Sequence, residues 1–235
     1  MTGDALLSVP EAIRRRRAIR HYRPDPLSAE QLALLVELTM EAPSSFNYQS
    51  RSVVVVTDPA RRTALAAAAE GQPHPAEAPA TLVFVADSSG WRCDHEDIYE
   101  LARTRAAWNE AYLTTGESAG RDFYAGVAAR GLLREYAIKD AVIAATYAML
   151  AAASMGLASS PMNGWDEDEV KKVIGIDGRD DLHIALLVPV GTPAEERRHP
   201  GRRPLARNVF LDTFDTSNAF DHDGRTRPDQ GETAS

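Results

Sequence analysis

Three apolar runs stand far apart in this chain: residues 51–57 (Arg-Ser-Val-Val-Val-Val-Thr), 80–86 (Ala-Thr-Leu-Val-Phe-Val-Ala) and 182–191 (Leu-His-Ile-Ala-Leu-Leu-Val-Pro-Val-Gly). Runs of this kind form strands buried among other elements. Helical patterns separate them. Ser28 and Gln31 make a capping box before Leu32, Leu35 and Val36. Residues 59–69 are helical, and residues 136–155 form a long Ala-rich helix closed by Gly156. The alternation predicts an α+β fold of three layers, a small sheet covered by helices. With 235 residues, 44% of them hydrophobic, the chain can bury one well-packed domain. We place that domain at 1–215 and expect the polar stretch 216–235 to be disordered.

The formal net charge of −8 argues against nucleic acid as a partner. A single cysteine, Cys93, excludes an intrachain disulfide and points to a reducing compartment. No signal-peptide pattern opens the chain, and no apolar run approaches the ~20 residues of a membrane span. We expect a cytoplasmic protein without membrane contact. The Asp94-His95-Glu96-Asp97 run reads as a solvated helix start, because adjacent residues rarely converge on one metal ion. No metal site is expected.

Against the acidic background, six arginines fall within ten residues: Arg14, Arg15, Arg16, Arg17, Arg20 and Arg23. Guanidinium forks bind phosphate bidentately and keep their charge. If the first helix continues through them, Arg16 and Arg20 share a face. By itself such a run is also what a solvated basic helix end looks like. Two further segments carry small donors and acceptors. Residues 43–49 read Pro-Ser-Ser-Phe-Asn-Tyr-Gln, and 161–164 read Pro-Met-Asn-Gly, before a helix whose amides can face a ligand. Each alone is ordinary turn chemistry.

In order and spacing these segments resemble the FMN-dependent nitroreductase family. Arg16-Arg17-Ala18-Ile19-Arg20 matches its Arg-Arg-Ser-x-Arg, and residues 42–49 match its Ala-Pro-Ser-Ser-x-Asn-x-Gln. Residues 161–164 match its late Pro-x-Glu/Gly-Gly turn, and Val188-Pro189-Val190-Gly191 with Arg202-Arg203-Pro204 match its close. The resemblance spans about residues 8 to 214.

It implies a three-layer α/β/α sandwich with a mixed central sheet and an intertwined homodimer, the flavin lying at the interface. It implies FMN as cofactor, with Arg16, Arg17, Arg202 and Arg203 on the phosphate and Arg20 near the N1–O2 edge. Ala18, where the pattern has serine, removes one hydroxyl donor. Pro43, Ser44, Ser45 and Asn47 would reach the flavin of the other subunit. Gln72 or His74 would meet the pyrimidine edge. The turn Pro161, Met162, Asn163 and Gly164 would face N5 and O4 through the amides of Asn163 and Gly164. Phe123 and Tyr124, on the irregular 88–131 cover, would wall the substrate slot.

The implied activity is hydride transfer from NADH or NADPH to a small organic acceptor such as a nitroaromatic or quinone, with no protein side chain assigned as proton donor. A flavin-dependent dehydrogenase or oxidase of a biosynthetic intermediate, and a flavin-binding protein with little turnover, are the alternatives. Ser50-Arg51 stands where the pattern has Pro-Trp.

Overall fold

The structure, a computed structural model, describes residues 6–215 and 219–220. Its sheet has the order β1-β2-β4-β3, with β1 Arg51–Val56, β2 Ala80–Asp87, β3 Ala158–Ser159 and β4 Leu182–Gly191. Every strand ladder is antiparallel: Val54 pairs with Val83, Thr81 with Pro189, and Ser159 with Val190. Among the described residues, the one parallel pairing is an isolated bridge between Ala18 and Ser159. The mixed character expected of the sheet rests on that bridge alone.

Two helical layers enclose the sheet. On one face α2 (Ala29–Met40) and α7 (Leu133–Ser154) pack against Leu82, Phe84, Leu186 and Val188. On the other, α3 (Pro59–Ala68) and α8 (Glu167–Ile174) cover Val83, Val85, Ile184 and Leu187. Alternate residues of β2 thus supply both cores, which is why its run is uniformly apolar. The helix starts follow local chemistry. Ser28 caps α2 and Asp58 caps α3, with Pro59 in the first turn, while Asp166 caps α8.

α7 spans 22 residues and is long and apolar enough to cross a membrane, although half of it is buried here. That differs from the expectation of no span-length apolar run. Its alanines 141, 144, 145, 148 and 152 are almost wholly buried and let the helix lie close on the sheet.

Four local expectations are corrected. Helix α1 (Val9–Arg15) stops before Arg16, and the chain continues extended, because Ala18 and Ile19 join β3 at Ser159. Arg16 and Arg20 therefore share no helical face. Residues 114–120, whose Gly116 and Gly120 suggest a loop on sequence grounds, lie inside α6 (Glu110–Ala129), which follows α5 (Glu96–Thr104). Gly120 is there for packing: a Cβ would collide with the Tyr48 hydroxyl. His95 is not solvated; it is buried, its ring stacked 3.8 Å from that of Tyr48. Residues 71–79, which their glycine and three prolines mark as a loop, hold a short helix, α4 (His74–Glu77).

The chain divides into two compact units, one through Arg197 and one from Arg198. In the second, a 3-10 turn at Leu205–Arg207 leads to a bridge between Phe210 and Ala219, and Phe220 N donates to Val209 O at 2.9 Å. Apart from Ala219 and Phe220, the expected disordered tail 216–235 lies outside the described residues.

At the start of β4, the Arg134 Nε donates to His183 Nδ1 at 3.3 Å, and His183 Nε2 lies 3.0 Å from Ser88 Oγ. Arginine can only donate, so Nδ1 accepts and the ring proton sits on Nε2. Burial first, then the Arg134 charge, holds the His183 pKa below its ordinary 6.5. Burial lowers His74 and His95 as well. The folded protein therefore binds fewer protons than the unfolded chain at mildly acid pH. This contribution to stability is complete above about pH 6.5 and is lost as pH falls through the lower folded values. Thermal unfolding should show a midpoint that drops from about pH 6.5 to about pH 5, with a shallower drop for His183→Gln.

Candidate functional site

The predicted residues fall into two sets. The first lies along the β3 edge of the sheet. Because α1 ends at Arg15, Arg16, Arg17 and Arg20 project from an extended segment whose Ala18 bridges Ser159 and whose Ile19 N donates to Ser159 O at 3.3 Å. Arg16 and Arg17 line a cavity of about 350 Å³ together with Arg15, Gly156, Glu195 and Arg197. Arg17 Nη1 donates to the carbonyls of Arg14 (2.7 Å) and Arg16 (2.8 Å), while its Nε is buried without an acceptor among the described residues. A buried guanidinium N–H without an acceptor is costly, so the site favours an anion.

Arg20 is held through its backbone. Its N donates to Glu195 Oε1 at 2.9 Å, and the same carboxylate takes Arg197 Nε at 2.9 Å. These two bonds keep the Glu195 pKa below the usual range. The Arg20 side chain stays exposed, and its charge adds to burial in keeping His74 neutral. Sequence reasoning passed over Glu195, because 175 residues separate it from Arg20.

The same edge receives Gln72 and the turn 161–164. Glu70 (φ 59) and Gly71 (φ 73) swing the chain back after α3, and Gln72 Nε2 comes within 3.5 Å of Gly164 O. Of the two residues weighed for the pyrimidine edge, Gln72 stands at the turn and His74 is buried. Met162 is fixed by its N–H to Leu187 O (2.9 Å), and its side chain belongs to the core. After it, the amides of Asn163 and Gly164 take no acceptor among the described residues, and Asn163 is exposed. The edge thus offers a cation at Arg20 and, beside the Gln72 carboxamide, two amides at 163–164 that are free among the described residues. Arg202 and Arg203 belong to the second unit, where both are exposed.

The second set lies before β1, at the opposite edge of the sheet. Residues 43–49 hold a 3-10 turn, Ser45–Asn47, with left-handed φ at Phe46 (53°), Asn47 (56°) and Gln49 (52°). Both serines are engaged internally. Ser44 Oγ accepts from Gln49 N at 2.9 Å, and Ser45 Oγ donates to Asp140 Oδ1 at 3.3 Å. Pro43, Asn47 and Gln49 are the exposed residues of the turn. Phe123 is exposed on the rim of an aromatic cluster, 5.5 Å from Phe46. Tyr124 is buried in it, stacked between Tyr48 (5.8 Å) and Trp91 (6.1 Å). A wall over a substrate slot therefore fits Phe123, whereas Tyr124 packs as core.

The chain matches the family model described as Nitroreductase family over residues 13–192. It is 33% identical over 212 residues to an NADH dehydrogenase of Thermus thermophilus, covering 87% of this chain and 96% of that one. It is 30% identical over 202 residues to MhqN of Bacillus subtilis, assigned as an NAD(P)H nitroreductase, covering 84% and 94%. Among solved structures, an Exiguobacterium sibiricum protein assigned as a nitroreductase in complex with FMN aligns with a TM-score of 0.79. It is 22% identical and covers 88% of this chain and 99% of that one. From motif, fold and these likenesses together, the chain belongs to the nitroreductase family.

Proposed function

We propose that the chain is an FMN-dependent oxidoreductase that takes hydride from NADH or NADPH and passes electrons to a small organic acceptor, a nitroaromatic or a quinone. The observation that carries this reading is the β3 edge, which holds the exposed Arg20 and, beside Gln72, the amides of Asn163 and Gly164, free of acceptors among the described residues. A ring with a carbonyl-and-nitrogen edge at each end of its polar half fits such a donor set. The acceptor-free Nε of Arg17 fits a phosphate. The names borne by the Thermus, Bacillus and Exiguobacterium relatives agree.

When bound, FMN supplies reversible hydride acceptance. The protein's residues do the rest. Arg16 and Arg17 hold the phosphate by charge-assisted bonds. Arg20 places positive charge where negative charge gathers on reduction, and its fixed backbone keeps that charge in place. The 163–164 amides orient the redox end, and Phe123 offers an apolar face to nicotinamide and acceptor in turn. His74, buried and neutral, adds no competing charge. Arg202 and Arg203 enter this reading through the sequence resemblance alone.

Two observations support a homodimer. The 43–49 turn and the arginine edge lie on opposite edges of one sheet, so one chain does not bring them together. An exposed apolar row, Val142, Ile143 and Tyr147 on α7 with Val9 and Ile13 on α1, offers a face for a second copy. Fluorescence titration of the apoprotein with FMN tests the reading: saturable quenching at one FMN per chain is expected, and no uptake would overturn it.

A further inference from the structure

Among the buried ionisable groups that this mechanism leaves unused, two touch the same turn. Arg51 and Asp140 are each 5% exposed. A charge is buried at high cost unless it is partnered, so such groups call for a reason. Arg51 opens β1, and its guanidinium reaches back over the preceding segment. Its Nη2 donates to the carbonyl of Ala42, and to that of Met40, the last residue of α2, at 3.4 Å. It thereby ties the exit of the turn to its entrance and places a cation at the negative end of α2. Asp140, midway along α7, holds the middle: its carboxylate accepts from Ser45 N at 3.3 and 3.4 Å and from Ser45 Oγ at 3.3 Å.

The segment so held is strained, with three non-glycine residues at left-handed φ within four positions. Such backbone persists only where its surroundings over-determine it. The Tyr124 phenol packs on the Ser45 hydroxyl from the other side, which links the turn to the cover. The opposite charges of Arg51 and Asp140 attract, though burial outweighs the attraction in both: the Asp140 pKa is raised and that of Arg51 lowered. In the family pattern, tryptophan stands at position 51, so this cation is a particular feature of the chain.

We propose that Arg51 and Asp140 are positioning residues that preset the 43–49 turn, so that Asn47 is presented to the flavin of a second copy in its final conformation. The proposal rests on the flavin reading of the turn given above. A preformed turn spares the ordering cost at the moment of binding, and its loss appears as weaker binding.

The test compares FMN affinity with thermal stability across a variant set. Asp140→Ala and Arg51→Met are each expected to weaken FMN binding about tenfold, measured well below each variant's own unfolding temperature. Because both hold one turn, the double variant should lose little more than either single one. Val83→Ala, which creates a core void on the far face of the sheet, should lower the unfolding temperature and leave FMN affinity unchanged. Should the two charge variants not fold, Ser45→Ala reads the same contact, with binding about threefold weaker expected from the loss of one bond to the carboxylate. Variants that lose stability like Val83→Ala but bind FMN within twofold of the parent would overturn the proposal. A parent protein that takes up no FMN would show, before any variant is made, that the flavin reading itself fails.

Discussion

Replacing Arg16 and Arg17 together by alanine is expected to weaken FMN binding by about two to three orders of magnitude with the fold intact. A hydrogen bond to a charged group contributes about 1.5–3 kcal/mol, and about 1.4 kcal/mol is tenfold in affinity. Two such contacts give roughly 3–4 kcal/mol once non-additivity is allowed for. The Arg17 Nη1 already serves the carbonyls of Arg14 and Arg16 and must be recruited away from them, which tempers its share. Both side chains stand on an extended segment outside the two main cores, so thermal stability should change little. Fluorescence titration of the single and double variants checks this, and added salt should weaken parent binding more than variant binding. A double variant within threefold of the parent would remove the phosphate assignment.

The largest effect on stability is expected from Phe84→Ala. Phe84 is wholly buried at the centre of β2, and its ring fills the layer between the sheet and α7. Phe→Ala at such a site costs about 3–5 kcal/mol, since lost transfer energy and a residual cavity add. For a chain of this size that is roughly 6–20 °C in the unfolding midpoint. The neighbouring residues of α7 are small alanines with little volume to move inward, so the upper half of the range is expected. Calorimetry of the apoprotein measures it. FMN affinity of the variant below its midpoint should stay near that of the parent, because Phe84 touches neither site set.

The strands were legible from sequence because β1, β2 and β4 are apolar on both faces and bounded by polar or turn residues. α7 was legible for its alanines. The errors came where distant contacts decide local structure. Whether the arginine run stays helical depends on Ala18 meeting Ser159, 141 residues away, and no local signal records that pairing. The glycines at 116 and 120 read as a loop because glycine is a poor helix former. They are helical because Tyr112 and Tyr48 occupy the space a side chain would need.

The candidate site was legible as motifs, but not as geometry. Ser44 and Ser45 carry the right groups, yet their hydroxyls are spent on holding the turn, with Gln49 and with Asp140 of α7. Asp140 itself looked like one polar residue in an apolar helix. Its partner lies 95 positions earlier, beyond the reach of any periodicity. Tyr124 and Phe123 are adjacent in sequence and differ only in the face of α6 they occupy, which decides core against rim.

The central claim is that this edge of the sheet holds a flavin that accepts hydride from a nicotinamide. Its most direct measurement is the visible absorption spectrum of the FMN-loaded protein under anaerobic conditions, before and after NADH or NADPH. Loss of the oxidised flavin band within seconds to minutes, and its return on adding a quinone, is the predicted result. Flavin that stays bound but oxidised with both nucleotides would contradict the account.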